Sequence, residues 1–428
     1  MTEHLYVHYE GQLVGSLTLR DSLQMQFEYS SEWSRSPSSF PISISLPLDG
    51  SFDLSASHRF FANLLPEANV RLQICRSLGI SQDNDFALLK AIGGDCAGAL
   101  TITQQSATSN KQSHNDSDEQ RYEEITEDQL ASWSVGTPEA FSAITGRNDI
   151  RLSLAGAQDK LPVHVQDGRI FVPIGNTPST HLLKFASPFY SHLPENETFV
   201  TMLARAIGLP AVEIVLRKTQ RASVALITRY DRVFEGDHYR RLHQEDFCQA
   251  LGISPVSKYQ KEGGPSLQQC AEILRSHSTF PVVDLQRLVN WCLFNLIVGN
   301  ADAHGKNISL LYEDRQSIRL APFYDLVCTR NYDNISRHLA MSLGGESDPG
   351  QIGLSHLQKL AADLRINAKT LVSTATRLCD QISDAINETA QSFESRFGPS
   401  PVLERIPLII RKQIRRLKQG LKSHAHLG

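Results

Sequence analysis

The sequence predicts an α+β fold with a β-rich beginning and a mainly helical second half, and three features of the chain support this. Residues 1–60 contain short runs in which polar and apolar side chains alternate, as at 5–9 and 42–46, closed by Gly, Pro and Asp. Such runs are typical of strands and hairpins. Residues 104–121 are polar and lack aromatic side chains, which predicts a loose connector. Beyond Leu242 the apolar residues recur at helical spacing.

The size and charge of the chain limit its function class. Its 428 residues suffice for two or three domains of roughly 100–200 residues each. A net charge of -4 argues against a surface built wholly for nucleic acid or anionic lipid. The seven cysteines are widely spaced and form no CxxC pair, which favours buried thiols and a cytoplasmic location. We see no signal-peptide pattern and no apolar run near the ~18 residues of a membrane span, so we expect no membrane partner.

The pattern predicts four consecutive segments: a β-rich N-terminal domain at 1–103, a polar linker at 104–122, a small lobe at 123–242 and a helical large lobe at 243–428. Small-lobe strands are predicted at 160–165, 169–173, 181–185, 213–217 and 223–228, with one helix at 197–208. Large-lobe helices are predicted at 244–251, 267–276, 284–298, 356–363, 368–393 and 401–421. Five strands around one helix are the outline of a kinase small lobe. The predicted fold is therefore bilobal and protein-kinase-like, with an added N-terminal β-rich subdomain.

The strongest functional signal is the segment GNADAHGKN at 299–307, which directly follows an apolar helical stretch. Asp302 and Asn307 repeat the D-x-x-x-x-N part of the protein-kinase catalytic loop, where the carboxylate accepts a hydroxyl proton and the amide oxygen holds Mg²⁺. Asp325 follows a strand-like run at 317–320 and is suited to be a second ligand of a hard cation. The alternative is an ordinary polar loop at a helix end. The preceding helix and the following strand favour the catalytic interpretation.

Lys184 lies inside the apolar strand HLLKF at 181–185, where a charge needs a partner such as a carboxylate or the phosphates of a nucleotide. Glu197, at the start of the next predicted helix, is the natural carboxylate and predicts a structural ion pair. The alternative is an edge lysine that reaches solvent.

The segment SLAGAQDK at 153–160 is rich in small residues. Small residues let backbone N–H groups approach phosphates closely, so this loop is a candidate cradle for a triphosphate. It matches neither glycine-rich phosphate-loop motif, and a simple turn remains the alternative.

Together these segments resemble the HipA kinases of bacterial toxin–antitoxin modules, and the resemblance covers nearly the whole chain. The matching motifs are SLPL at 45–48, FANLLP at 61–66, GGDCAGA at 93–99, SLAGAQDK at 153–160, HLLK at 181–184, QED at 244–246, GGP at 263–265, DAHGKN at 302–307 and FYD at 323–325. So many motifs in one order argue against a chance match.

The resemblance implies a role for each matched residue. It implies Asp302 as catalytic base, Asn307 and Asp325 as Mg²⁺ ligands and Lys184 on the α- and β-phosphates of ATP. The implied phosphate loop comprises Ala155, Gly156, Ala157, Gln158 and Lys160, and the implied contacts of adenine and ribose are Arg229, Tyr230 and Asp231, with His304 and Tyr324 nearby. Ser153 resembles the autophosphorylated serine of the family.

Two positions depart from the expected pattern. Thr228 stands where a relative carries an acidic hinge residue, so backbone groups are left to read the adenine ring. His304 occupies the position where ordinary Ser/Thr kinases place a lysine, and Lys306 is the nearby candidate for that charge.

The resemblance implies an ATP- and Mg²⁺-dependent serine/threonine kinase that arrests growth by phosphorylating a translation component, such as an aminoacyl-tRNA synthetase. The implied partner is a small helix-turn-helix antitoxin similar to HipB and, through it, operator DNA; the location would be the bacterial cytoplasm, with nucleoid association in that complex. Two alternatives remain: a non-catalytic pseudokinase on operator DNA, and a small-molecule or lipid kinase on the same fold. The basic residues at 405–422 predict either a solvated helix face or a strip that flanks DNA or a partner.

Overall fold

A computed structural model describes residues 3–104, 121–136, 160–175, 177–236 and 238–422. Ser153 and the loop residues 155–158 lie outside the described residues, so their predicted roles stay predictions. No helix in the described part of the chain is long and apolar enough to cross a membrane.

The N-terminal module is built on an antiparallel sheet of order β3-β2-β1-β4. Its strands are β1 (His4–Tyr9), β2 (Gln12–Leu19), β3 (Met25–Tyr29) and β4 (Leu100–Thr103). Its helices are α1 (Ser31–Arg35), α2 (Leu54–Ala62), α3 (Ala68–Leu78) and α4 (Asp85–Ile92). Alternate residues of β1 are buried, as the alternating sequence predicts.

The predicted strand at 42–46 is wrong, because this segment forms a tight turn closed by a bridge between Ser43 and Leu46. The hydroxyl of Ser43 and the backbone N–H of Ile44 donate hydrogen bonds to the carboxylate of Glu245, at 2.5 and 3.1 Å. A partner about two hundred residues away therefore fixes this turn, and the local alternation does not.

The small lobe contains a sheet of order β5-β7-β6-β8-β10-β9. Its strands are β5 (Tyr122–Glu124), β6 (Lys160–Gln166), β7 (Arg169–Pro173), β8 (His181–Lys184), β9 (Ile214–Lys218) and β10 (Ser223–Thr228), accompanied by α5 (Glu127–Trp133) and α6 (Leu193–Ala206). The five predicted strands are confirmed. Helix α6 begins four residues before the predicted start, because Pro194 is well suited to a first helical turn. Glu197 therefore lies in the second turn.

The large lobe is mainly helical. Its helices are α7 (Phe247–Ala250), α8 (Leu267–His277), α9 (Pro281–Val298), α10 (Leu354–Asp363), α11 (Ala368–Phe397) and α12 (Val402–Lys422). Its strands are β13 (His243–Asp246), β14 (Ser309–Tyr312) and β15 (Ile318–Leu320), and a hairpin of β11 (Arg232–Phe234) and β12 (Tyr239–Arg241) precedes them. The predicted helix at 244–251 is wrong in its first half, since residues 244–246 pair with β14 and only the rest is helical.

One continuous apolar core joins the N-terminal module to the large lobe, and a second core fills the small-lobe sheet. In the shared core, Phe60 and Phe61 of α2 and Phe247 of α7 are fully buried. The packing holds the beginning of α3 beside the loop at 299–307, where Glu67 pairs with Lys306 at 3.1 Å. The N-terminal module therefore forms part of the wall of the central cavity described next.

Candidate active site

A cavity of about 720 Å³ lies between the two lobes and the N-terminal module. The candidate residues that line it are Lys160, Lys184, Arg229, Tyr230, Asp231, Asp302, His304, Lys306, Asn307, Tyr324 and Asp325. Among the described candidates, Glu197 alone is absent from its wall, and it lies behind Lys184. Residues predicted from segments up to about 165 positions apart thus share one site.

Lys184 joins two carboxylates at the buried end of the cavity. Its ammonium group donates to Glu197 Oε1 at 2.7 Å and also to Asp325 Oδ1. Burial lowers the pKa of Lys184, but the attraction of Asp325 and Glu197 more than offsets this and raises it above the ordinary value. The lysine is therefore held as a cation, pointed at the place where Asp325 meets the cavity.

Lys160 is the direct cross-strand neighbour of Lys184, since the two residues pair in the register of β6 and β8. Burial lowers the pKa of Lys160 to about 8, with Asp325 raising it and Lys184 lowering it. The two lysines here balance the two carboxylates, Asp325 and Glu197, and bring two ammonium groups to this end of the cavity. An anion such as a phosphate would be stabilised there.

The loop after α9 presents Asp302. Helix α9 ends at Gly299, whose φ of 75° turns the chain, and the Asp302 side chain is 48% exposed. The Tyr259 hydroxyl donates to Asp302 Oδ1 at 2.5 Å. The Asn307 side-chain amide donates to the Asp302 carbonyl at 2.8 Å, which leaves the Asn307 amide oxygen for another partner.

Asp325 is held in an uncommon backbone conformation, with φ at 53°. Asn300 secures it by donating to the Asp325 carbonyl at 3.2 Å. Although burial raises the pKa of Asp325, Lys184 and Lys160 lower it to about 2, so the side chain is a carboxylate. A non-glycine residue kept at positive φ is often found at a functional site.

The oxygen atoms of Asp325 and Asn307 fit a magnesium ion. Both are hard ligands, and Mg²⁺ usually binds one or two protein groups together with phosphates and water. The Asp325 carboxylate is ionised, and the bond from the Asn307 amide nitrogen to the Asp302 carbonyl does not use the Asn307 amide oxygen. The donor set therefore suits Mg²⁺ carried with a nucleotide.

His304 does not supply a positive charge beside Asp302. Burial lowers its pKa to about 4, and the opposing effect of Asp302 is smaller. Its Nε2 lies 3.9 Å from Asp302 Oδ1, and its ring packs edge-on against Tyr259 with centroids 5.3 Å apart. A neutral His304 therefore supports the geometry of Asp302 and Tyr259.

Lys306 faces the N-terminal module. Its ammonium group donates to the carbonyl and side-chain oxygens of Asn63, at 3.0 and 2.9 Å. It also pairs with Glu67 at 3.1 Å and lies 3.7 Å from Asp246. The carboxylates of Glu67 and Asp246 thus offset the positive charge of Lys306 in this structure. The expectation that Lys306 replaces the usual kinase lysine stays a prediction.

The side chains of Arg229 and Asp231 are held in a buried ion cluster. Arg229 pairs with Asp231 at 2.8 Å and with Asp95 of the N-terminal module at 3.3 Å, and Arg232 pairs with Asp95 at 2.8 Å. The ring of Tyr230 stacks on Tyr324 with centroids 5.8 Å apart. We therefore expect this strip to contact a nucleotide through its backbone and the Tyr230 ring.

Sequence patterns did not indicate Tyr259, Glu67 or Asp95. Glu67 directly follows the motif at 61–66, and Asp95 lies inside the motif at 93–99. Their positions in or next to these motifs are the sequence signal that could have identified them. Tyr259 had no such signal, because its contact with Asp302 spans 43 residues.

Comparisons with known proteins identify two family models that match this chain. The family model described as "HipA-like C-terminal domain" matches residues 152–390, and the model described as "HipA N-terminal domain" matches residues 5–103. The first covers more than half of the chain.

Individual relatives match over similar lengths. A Sinorhizobium fredii protein provisionally named kinase Y4mE is 36% identical over 89% of this chain and 90% of its own. The serine/threonine-protein kinase toxin HipA of Shewanella oneidensis is 32% identical over 90% of this chain and 88% of its own. A solved Shewanella oneidensis complex of HipA, HipB and operator DNA contains a chain that matches with a TM-score of 0.79 and 28% identity, covering 96% of this chain and 95% of that one.

Proposed function

Because the chain belongs to the HipA family of kinase-like proteins, we propose that it is an ATP- and Mg²⁺-dependent serine/threonine protein kinase that arrests growth. One observation supports this most: Lys184, Asp302, Asn307 and Asp325 line a single cavity, each with the partners that its role requires. A pocket that buries this many charged and polar groups is costly to maintain without a polar ligand.

In the proposed reaction, Asp302 accepts the proton of a serine or threonine hydroxyl as that oxygen attacks the γ-phosphorus of ATP, and the bond from this phosphorus to the bridging oxygen breaks so that ADP leaves. The hydrogen bond from Tyr259 fixes one oxygen of the Asp302 carboxylate, so the other is free to face the substrate. Lys184 and Lys160 offset the negative charge of the phosphates. When bound by Asn307 and Asp325, Mg²⁺ would supply further neutralisation of that charge.

The alternative of a non-catalytic subunit requires these groups to have a purely structural role. Asp302 argues against it, since its side chain is about half exposed to the cavity and no basic residue pairs with it in the described residues except the neutral His304. A lipid or small-molecule substrate is not favoured by any contact in the described residues. The target class proposed here is a protein of translation, such as an aminoacyl-tRNA synthetase.

Regulation is proposed on two levels. Ser153 is the proposed autophosphorylation site, and a phosphate there would add about two negative charges next to the segment 155–160, which is proposed to bind the phosphates of ATP. A small helix-turn-helix antitoxin is the proposed partner, supported by the similar Shewanella oneidensis chain that was solved with HipB and operator DNA. The bacterial cytoplasm, with nucleoid association in that complex, is the proposed location.

Expression in a bacterial host without an antitoxin tests this function. The wild-type chain should arrest growth, and Asp302→Asn at equal abundance should not. Mass spectrometry of the purified wild-type chain after incubation with Mg·ATP should find phosphate on Ser153. Equal growth with both chains and no phosphate on any residue would favour the non-catalytic alternative.

A further inference from the structure

A second cavity, of about 380 Å³, lies beside the beginning of the loop at 299–307. It is formed by the segment that follows Asp325 and by helix α12. The charged and polar side chains that line it are Arg330, Arg337, His338, Asp348, Gln351 and Arg416. We call it the arginine cavity.

The arginine cavity has excess positive charge. Three guanidinium groups face it, and Asp348 is the one carboxylate in its described lining. Asp348 Oδ1 already accepts a hydrogen bond from the backbone N–H of Gly350 at 2.8 Å. Arg337 and Arg416 are exposed and make no ion pair among the described residues. Burial and then the repulsion of Arg416 and Arg337 lower the pKa of Arg330.

Buried packing fixes this arrangement of like charges. Gln413 is 1% exposed, and its side-chain oxygen accepts from Arg330 Nη1 at 2.9 Å. Its amide nitrogen donates to the Pro349 carbonyl at 2.8 Å. Gln413 therefore orients Arg330 and the loop that carries Asp348 around the same space.

The arginine cavity also adjoins the catalytic loop. The backbone N–H of Arg330 donates to the Gly299 carbonyl at 3.2 Å. The neighbouring Thr329 hydroxyl donates to the same carbonyl at 3.0 Å and accepts from the backbone N–H of Ala301 at 2.8 Å. An anion that steadies Arg330 would consequently steady the residues just before Asp302.

We propose that the arginine cavity binds a phosphate dianion, either free or carried on a phosphorylated side chain. Three arginines against one carboxylate leave two positive charges in excess, which matches a dianion better than a single phosphodiester. Guanidinium groups also fit the paired oxygens of phosphate. The proposal is separate from the proposed kinase activity, because it concerns binding alone.

Calorimetric titration of the full chain with inorganic phosphate, at ionic strength held constant with chloride, tests this site. The variant is Arg337→Gln/Arg416→Gln. The matched control is Lys412→Gln/Arg415→Gln, which removes two exposed charges from α12, the helix that carries Arg416, outside the cavity. All four side chains are exposed, so both variants should fold. We expect phosphate affinity at this site to fall at least about tenfold in the first variant and to stay within about twofold in the control.

A second titration with O-phosphoserine distinguishes the two sources of the dianion. Tighter binding than inorganic phosphate would assign a modified side chain, and equal or weaker binding would assign the free anion. Identical phosphate isotherms for the two double variants would overturn the proposal. So would a loss of binding to a labelled DNA duplex in Arg337→Gln/Arg416→Gln with no change in phosphate binding, because the cavity would then serve phosphodiesters.

Discussion

The hydroxyl of Tyr259 donates a hydrogen bond to Oδ1 of Asp302, and the two oxygen atoms are 2.5 Å apart. The tyrosine comes from the loop before α8, so a separate element of the large lobe fixes the proposed base. Burial, followed by the charge of Asp302, raises the pKa of Tyr259 far above its ordinary value. Tyr259 is therefore a hydrogen-bond donor at neutral pH.

Tyr259→Phe should lower kcat and leave the KM for ATP nearly unchanged. A hydrogen bond to a charged group contributes about 1.5–3 kcal/mol, so its loss in the transition state predicts a kcat reduction of roughly 10- to 100-fold. Steady-state kinetics measure both constants. Tyr6→Phe, on β1 of the N-terminal sheet, is the matched control. An unchanged kcat in Tyr259→Phe would show that this hydrogen bond does not position the base.

Lys184→Met should weaken ATP binding and also destabilise the fold. Removing the lysine leaves the carboxylate of Glu197 buried without a partner, which costs about 3–5 kcal/mol of unfolding free energy. Adding Glu197→Gln removes that unpaired charge. The double variant should therefore regain much of the stability but none of the ATP affinity.

Chemical denaturation and calorimetry separate these two effects of Lys184. Recovery of ATP affinity together with stability in the double variant would contradict a direct role of Lys184 at the phosphates. It would assign the lysine to the fold alone.

Asp95→Asn should weaken ATP binding from outside the cavity. Asp95 pairs with Arg229 and Arg232 and accepts from the Ser179 hydroxyl at 2.6 Å, so its charge fixes the strip that contains Tyr230. Loss of one partner of a buried ion cluster predicts about 3 kcal/mol lower stability and a higher KM for ATP. Asp83→Asn, an exposed residue of the same module, is the control. Normal KM values in both variants would leave Asp95 without a role in nucleotide binding.

Glu245 should make the free energy of unfolding fall as the pH rises from about 4.5 to about 7. Burial raises its pKa from 4.5 to about 7, against the hydrogen bonds from Ser43 and Tyr312. Between these two pH values the folded chain holds a proton on Glu245 that the unfolded chain releases. The contribution of Glu245 to the free energy of unfolding is therefore complete below about pH 4.5 and lost by about pH 7. The shift corresponds to about 3 kcal/mol.

The measurement is the unfolding free energy of the wild type and Glu245→Gln across this pH range. The difference in unfolding free energy between the wild type and Glu245→Gln should change by up to about 3 kcal/mol over this range. Glu313→Gln, which alters an exposed side chain, should follow the wild type. Parallel curves for wild type and Glu245→Gln would mean that Glu245 titrates near its ordinary pKa.

The sequence predicts those parts of the fold that depend on local patterns. The strands at 169–173 and 223–228 have the predicted bounds, because alternation reports directly on which face of a strand is buried. The segment 42–46 forms a turn and not the predicted strand, since its conformation depends on Glu245 in the large lobe. Local alternation carries no information about such a distant partner.

The same limit applies to the site. The spacing of Asp302 and Asn307, and the buried charge of Lys184, indicate chemistry that local sequence can display. Their supports come from elsewhere: Tyr259 for Asp302, Glu67 for Lys306 and Asp95 for Arg229. Each of these contacts joins segments separated by many residues, so the sequence reveals them only once the fold is known.

The most direct test of the account is the initial rate at which the γ-phosphate of ATP is transferred to protein in the presence of Mg²⁺. The wild-type chain should transfer labelled phosphate to serine or threonine, and chelation of Mg²⁺ should stop it. Asp302→Asn should lower the rate at least about 100-fold with Mg·ATP affinity nearly unchanged, and Asp384→Asn, an exposed carboxylate on α11, should keep the wild-type rate. Transfer by Asp302→Asn at a rate close to that of the wild type would contradict the assignment of Asp302 as the base.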